Sequence, residues 1–82
     1  MDNATAAHFR RLLIAARSCL GLDERRADPG AFTAYCHLVA RTANESIAAA
    51  GYVGVEVEAT DLGAGPELIA FVYGTPAVAV AL

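Results

Sequence analysis

Lysine is absent from this chain, and all six of its basic residues are arginines. Without lysine, neither Schiff-base catalysis nor a lysine-dependent phosphate loop is available. Residues 51–82 carry four acidic residues and no positive charge, within a net charge of −3. Since nucleic-acid binding requires clustered positive charge, a nucleic-acid partner for this region is not expected. Arginine without lysine, with abundant alanine and glycine, indicates a GC-rich bacterial or phage genome.

Long apolar runs are also missing. No stretch of 18 consecutive apolar residues occurs, so the sequence predicts no transmembrane helix and no membrane partner. The segment 1–5 is acidic and polar where a signal peptide has a basic region, so we expect no secretion signal. These features favour a cytoplasmic protein with reduced cysteine thiols.

The chain has only two cysteines and two histidines, and their spacing does not suit a metal. Neither C-x-x-C nor H-x-x-x-H occurs. On a helix His8 and Cys19 would lie about 16 Å apart, and the adjacent Cys36 and His37 would diverge by about 100°. No metal site, cofactor or catalytic residue is predicted. An enzyme would need residues from two chains, with His8 or His37 beside a carboxylate from the second chain.

What the chain does contain is enough apolar sequence for one domain. It has 82 residues, of which 56% are hydrophobic. The first predicted helix spans about 3–20, because one stripe at helical spacing is apolar. A second helix is predicted over about 29–50, starting at Asp28-Pro29 and ending at Gly51. The second helix has a shared apolar face made of Phe32, Tyr35, Cys36, Val39, Ala43, Ile47 and Ala50.

Three strands are predicted in the remaining sequence, at about 52–59, 67–73 and 77–82. The first alternates valines with glutamates, which is typical of a half-buried strand with one wet face. A short turn at 74–76 is expected between the second and third strands. The predicted fold is therefore α+β, with an αα-hairpin packed on a three-stranded antiparallel β-meander.

The second and third strands are apolar on both faces. Two helices in one layer cover a single side of a sheet, so the other side is expected to meet a partner, most simply a second copy. The alternative is that the helices lie on opposite sides of the sheet and cover both faces within one chain. For the self-association interface we predict Ile69, Phe71, Tyr73, Val78 and Val80.

A second candidate contact surface lies on the first helix. Arg10 and Arg17 fall within about 20° of each other on a helical projection, and Ile14 lies between them on the same side. This basic flank with one apolar residue is predicted to be a solvated helical face first, a contact surface for another protein second and a nucleic-acid contact third.

The sequence thus predicts a small, non-enzymatic interaction or assembly protein that forms a homo-oligomer, most simply a dimer, through its sheet. The alternative is a small-molecule binder with an apolar pocket between helices and sheet. In that case Tyr35, Tyr52 and Tyr73 would line the pocket and bring polar tips to it. The element order is too generic to indicate a family.

Overall fold

The computed structural model describes residues 2–18, 29–61 and 65–82. Two helices packed on a three-stranded antiparallel sheet confirm the predicted α+β fold. The predicted end of the first helix and Cys19 lie outside the described residues. No described helix has both the length and the apolar character needed to cross a membrane. The elements are α1 (Asn3–Ser18), α2 (Pro29–Ala49), β1 (Val55–Asp61), β2 (Pro66–Val72) and β3 (Thr75–Ala81).

Asp2 caps the start of α1. Its carboxylate accepts a hydrogen bond from the Thr5 backbone N–H at 2.7 Å, which satisfies a donor that the first turn leaves unpaired. A hydrogen bond from the Thr5 side chain, and then the one from its backbone, lowers the pKa of Asp2 below its ordinary value of 3.8. The cap therefore fixes where α1 begins.

Gly51 stops α2. The Gly51 N–H donates to the Ala48 carbonyl and the Tyr52 N–H donates to the Ile47 carbonyl, which is the Schellman pattern. That pattern needs a residue with positive φ, and Gly51 has φ 93°. The chain then turns towards β1, which begins at Val55 rather than at the predicted residue 52.

A two-residue turn connects β2 to β3. Tyr73 and Gly74 both have positive φ, 49° and 82°, as a type I′ hairpin turn requires. The turn therefore lies one residue earlier than predicted, and Pro76 lies inside β3. β3 is an edge strand, where a residue without an N–H is tolerated. A register shift in the β2–β3 pairing accompanies the proline.

Both helices cover the same face of the sheet. α1 packs on β3, α2 packs on β1, and the helices pack on each other. The alternative in which they lie on opposite faces is therefore not the arrangement found. Their buried side chains form one cluster with inward-pointing residues of every strand. The sheet contributes Val57, Leu68, Ala70, Val78, Val80 and Leu82 to this cluster.

Candidate functional site

The sheet face opposite the helices, here called the open face, has a different character on each strand. Strand pairing places Glu58 beside Ile69 and Ile69 beside Ala79. The adjacent row places Glu56 beside Phe71. β1 is therefore acidic on this face, β2 is apolar at Ile69 and Phe71 with Glu67 at the start of the same row, and β3 carries small side chains.

The apolar row of β2 is separate from the core. Ile69, Phe71 and Tyr73 belong neither to the buried cluster nor to the partly buried residues packed against it. Ile69 is 7% exposed, Phe71 is half-buried and Tyr73 is 79% exposed. Alternation along a strand explains this separation, since Leu68 and Ala70 already point to the helices. The row thus presents two large side chains with accessible surface, Phe71 and Tyr73, beside the buried Ile69.

Two of the predicted interface residues lie on the opposite side of the sheet. Val78 and Val80 are 5% and 6% exposed and belong to the core cluster under the helices. The β3 sequence is apolar at every position from 76 to 81, so its alternation does not show which row points inward. The register with β2 decides it, because Val78 pairs with Ala70 and Val80 pairs with Leu68.

Tyr73 is held in place at one end of the open face by Gly54. The Tyr73 N–H donates to the Gly54 carbonyl at 2.8 Å. A Cβ at position 54 would overlap the Tyr73 ring, so glycine is needed for the ring to pack there. Beside this ring lies an open concavity of about 550 Å³. Its lining combines two carboxylates with two aromatic rings: Glu56, Glu58, Phe71 and Tyr73, together with Gly54, Val55 and Gly74.

The two sheet edges each receive a side chain from a helix. On the β1 edge, the Asn44 amide donates to the Val57 carbonyl at 2.9 Å and accepts from the Val57 N–H at 2.7 Å. On the β3 edge, Arg17 Nη1 donates to the Ala81 carbonyl at 2.8 Å. Such groups occupy backbone sites that an added strand would use. A partner therefore has better access to the open face than to these parts of the edges.

The basic flank predicted on α1 is only partly exposed. Arg10 is exposed and Ile14 is 37% exposed, so both are accessible. Arg17 is half-buried and is engaged with Ala81, so it is not free for a partner. Arg11 is also exposed and lies about 60° from Ile14 on the helical projection. The accessible basic surface is therefore Arg10, Arg11 and Ile14.

The three tyrosines do not line one pocket. Tyr35 is buried and donates its hydroxyl to the Arg17 carbonyl at 3.2 Å. The Tyr52 hydroxyl lies 2.7 Å from His8 Nδ1, and its ring meets Phe9 edge to face. Tyr73 is on the open face, whereas Tyr35 lies in the core and Tyr52 packs against it. The polar tips of Tyr35 and Tyr52 are thus used to join parts of the chain.

A second, smaller cavity of about 240 Å³ lies between α2 and the sheet. Cys36 is buried at this place and His37 is exposed, as their adjacent positions on one helix require. Within the described ranges, no three His, Cys, Asp or Glu side chains are grouped for metal binding. The lining residues are Phe32, Thr33, Cys36, His37, Ala59, Thr60, Asp61 and Pro66.

Sequence reasoning missed the role of Asn44, which lies outside the predicted apolar face of α2. Asn44 is half-buried and binds β1. An uncharged amide among His37, Arg41 and Glu45 was the available signal, because amides can pair with both groups of a peptide unit.

Searches against protein-family models, curated proteins and solved structures find no match.

Proposed function

We propose that this chain is a small, non-enzymatic interaction protein that self-associates through the open face of its sheet. The observation that carries the proposal is the row Ile69, Phe71 and Tyr73, which is apolar and separate from the core. Covering a large apolar side chain stabilises a complex by up to about 1.5–3 kcal/mol. A second copy supplies that cover without requiring any other molecule.

The size of the chain supports the same proposal. A domain of roughly 80 residues buries only about 60% of the surface of its unfolded chain, so its stability alone is marginal. Oligomerisation is a common way in which such small domains gain stability. Contact through the face is favoured over strand addition, since Asn44 and Arg17 occupy part of each edge.

The test compares two aspartate substitutions at apolar positions. Phe71→Asp places a charge in the centre of the open face, and Val53→Asp places one at an exposed apolar residue outside the strands. Light scattering after size-exclusion chromatography gives the mass, to be compared with 8.5 kDa for one chain. Circular dichroism checks that each variant remains folded.

We expect the unmodified chain and Val53→Asp to give a multiple of the single-chain mass, and Phe71→Asp to give the single-chain mass. A folded Phe71→Asp variant that keeps the mass of the unmodified chain would contradict contact through the open face. Specific assemblies typically have dissociation constants below about 100 µM. A single-chain mass for the unmodified protein at that concentration would therefore contradict self-association itself.

The second candidate is a small-molecule binder that uses the 240 Å³ cavity between α2 and the sheet. Its lining mixes apolar side chains with a few polar groups, as ligand sites do, but its volume suits only a small ligand. Native mass spectrometry of the purified chain tests this candidate. A bound species that is lost in Ala59→Phe, which narrows the cavity, supports it; the bare chain mass in the unmodified protein counts against it.

The predicted cytoplasmic location remains a prediction.

A further inference from the structure

The exposed side of α1 carries the positive charge that the open face lacks. Arg10 and Arg11 are both exposed, and within the part of the chain that the structure describes neither side chain has a hydrogen bond or ion pair. Ile14 lies between them on the helical projection and is 37% exposed. This basic stripe, Arg10, Arg11 and Ile14, is an apolar residue flanked by two cations.

The open face is negatively charged and, like the basic stripe, has apolar side chains beside its charged ones. Glu56 and Glu58 flank Phe71 and Ile69 across the β1–β2 pairing. Residues 51–82 contain no arginine, lysine or histidine, so these carboxylates have no cation on their own sheet. Arg41 forms an ion pair with Glu45, and both residues lie on α2.

Two open faces are poorly suited to stacking on each other. A sheet-to-sheet contact would bring Glu56 and Glu58 of both copies into one small interface without a compensating cation, and like charges in an interface oppose association. The basic stripe of α1 meets the same face with opposite charge. We infer, granting the proposed self-association, that α1 of a second copy covers the open face.

The spacings of the two surfaces agree. One helical turn from Arg10 to Ile14 rises about 6 Å, at about 1.5 Å per residue. Glu56 pairs with Phe71 on the neighbouring strand, and paired strands lie about 4.8 Å apart. A helix that crosses the strands can therefore place Arg10 beside a carboxylate of β1 while Ile14 lies on Phe71 of β2. The result is a helix layer on each side of the sheet.

The contact joins two different surfaces, so the assembly is head-to-tail. The basic stripe lies about 100–200° around α1 from Phe9, which points into the core. The open face points away from the helices. Since the two surfaces face in roughly opposite directions, a pair of copies cannot exchange both contacts at once. Each copy uses its stripe on one neighbour and its open face on another, and the series ends in a ring or extends as a chain.

Charge reversal on each surface separately tests the inference. One variant is Arg10→Glu with Arg11→Glu, and the other is Glu56→Arg with Glu58→Arg. Each variant alone sets like charges against each other, and we expect its dissociation constant to rise about 100-fold or more. Mixed in equal amounts, the two variants have opposite charges at every contact and should recover the mass of the unmodified assembly. Arg41→Glu, at an exposed arginine on α2, is the matched control and should leave the mass unchanged.

Rescue on mixing shows that both variants are folded, because an unfolded chain could not restore the assembly. Dissociation by Phe71→Asp with full assembly of the Arg10→Glu, Arg11→Glu variant would overturn the role of α1 and leave the proposed function standing. Loss of assembly in both variants without rescue, with circular dichroism unchanged, would also overturn it. A single-chain mass for the unmodified protein would overturn both proposals.

Salt gives a second readout that needs no substitution. Opposite charges across the contact predict that assembly weakens as sodium chloride rises from about 50 mM to about 500 mM. Stacked acidic faces predict the reverse, since screening relieves repulsion. Assembly that strengthens with salt would therefore exclude the α1 contact.

Discussion

The Asn44 side chain pairs with the backbone of Val57 as a neighbouring strand would, giving one hydrogen bond to the carbonyl and accepting one from the N–H. Val57 points its side chain into the core, and its backbone N–H and carbonyl meet Asn44 at the outer edge of β1. This pair fixes α2 to the sheet and closes the centre of an edge that would otherwise accept another strand.

Removing this pair should destabilise the chain. Asn44→Ala leaves the N–H and carbonyl of Val57 without their partner, and we expect a loss of about 1–3 kcal/mol in the free energy of unfolding. Asn44→Asp keeps an acceptor for the Val57 N–H, but its carboxyl group can donate to the Val57 carbonyl only when it is protonated. Its loss of stability should therefore be smaller at acidic pH than at neutral pH, relative to the unmodified chain at the same pH. Urea denaturation measures both variants. An unchanged free energy of unfolding in Asn44→Ala would show that the pair contributes nothing to stability.

Tyr73 should stabilise the contact between copies while lowering the free energy of unfolding of the single chain. A tyrosine at φ 49° is strained, whereas asparagine before Gly74 is favoured in a type I′ turn. We expect Tyr73→Asn to raise the free energy of unfolding by about 1 kcal/mol. The same change removes an aromatic ring from the open face and should raise the dissociation constant of the assembly. Thermal unfolding of diluted, dissociated chains measures the change in folding stability, and light scattering at several concentrations measures the change in assembly. A Tyr73→Asn variant less stable than the unmodified chain would refute the strain.

Val80 and Phe71 should behave in opposite ways, because they lie on opposite faces of the sheet. Val80→Ala removes buried volume under the helices, and we expect a loss of about 1–3 kcal/mol in the free energy of unfolding with little change in assembly. Phe71→Ala should weaken assembly more than it weakens folding. Concentration-dependent light scattering and urea denaturation of each variant provide the comparison. Weaker assembly of a stably folded Val80→Ala variant would place Val80 at the interface after all.

The Asp2 cap should make the start of α1 sensitive to acid. Hydrogen bonds from Thr5 lower the pKa of Asp2 in the folded chain, so its contribution is complete above 3.8 and is lost as pH falls through the lowered pKa. Asp2→Asn keeps an accepting oxygen but does not titrate, and is the matched control. The stability difference between the two chains should therefore change with pH only in the acidic range. If the difference in free energy of unfolding between the two chains stayed constant from pH 7 to pH 2, titration of the Asp2 cap would contribute nothing to stability.

The sequence was sufficient to predict the elements and their order. Phe9, Leu13 and Ala16 recur at helical spacing, and the acidic alternation of β1 separates a dry side from a wet one. These are local patterns, and local backbone geometry converts them into faces without reference to the rest of the chain. Boundaries were less well predicted, as β1 and the β2–β3 turn show, because hydrogen bonding at Gly51, Gly54 and Tyr73 determines them.

The candidate site depended on information that the sequence pattern does not contain. Ile69 and Phe71 were predicted on the open face together with Val78 and Val80, although the last two are in the core. Arg17 was grouped with Arg10, although it binds the edge of β3. When every residue of a strand is apolar, alternation gives two rows and no reason to prefer either, so only pairing with a neighbouring strand identifies the buried one.

Composition and periodicity alone established an α+β chain with more apolar strand surface than two helices can cover. Tertiary structure decided which row stays uncovered, which arginines remain accessible and how the sheet edges are closed. The physical reason is the range of the interactions. Helix and strand patterns arise between residues a few positions apart, whereas burial, edge pairing and charge complementarity depend on contacts between residues such as Asn44 and Val57 or Arg17 and Ala81.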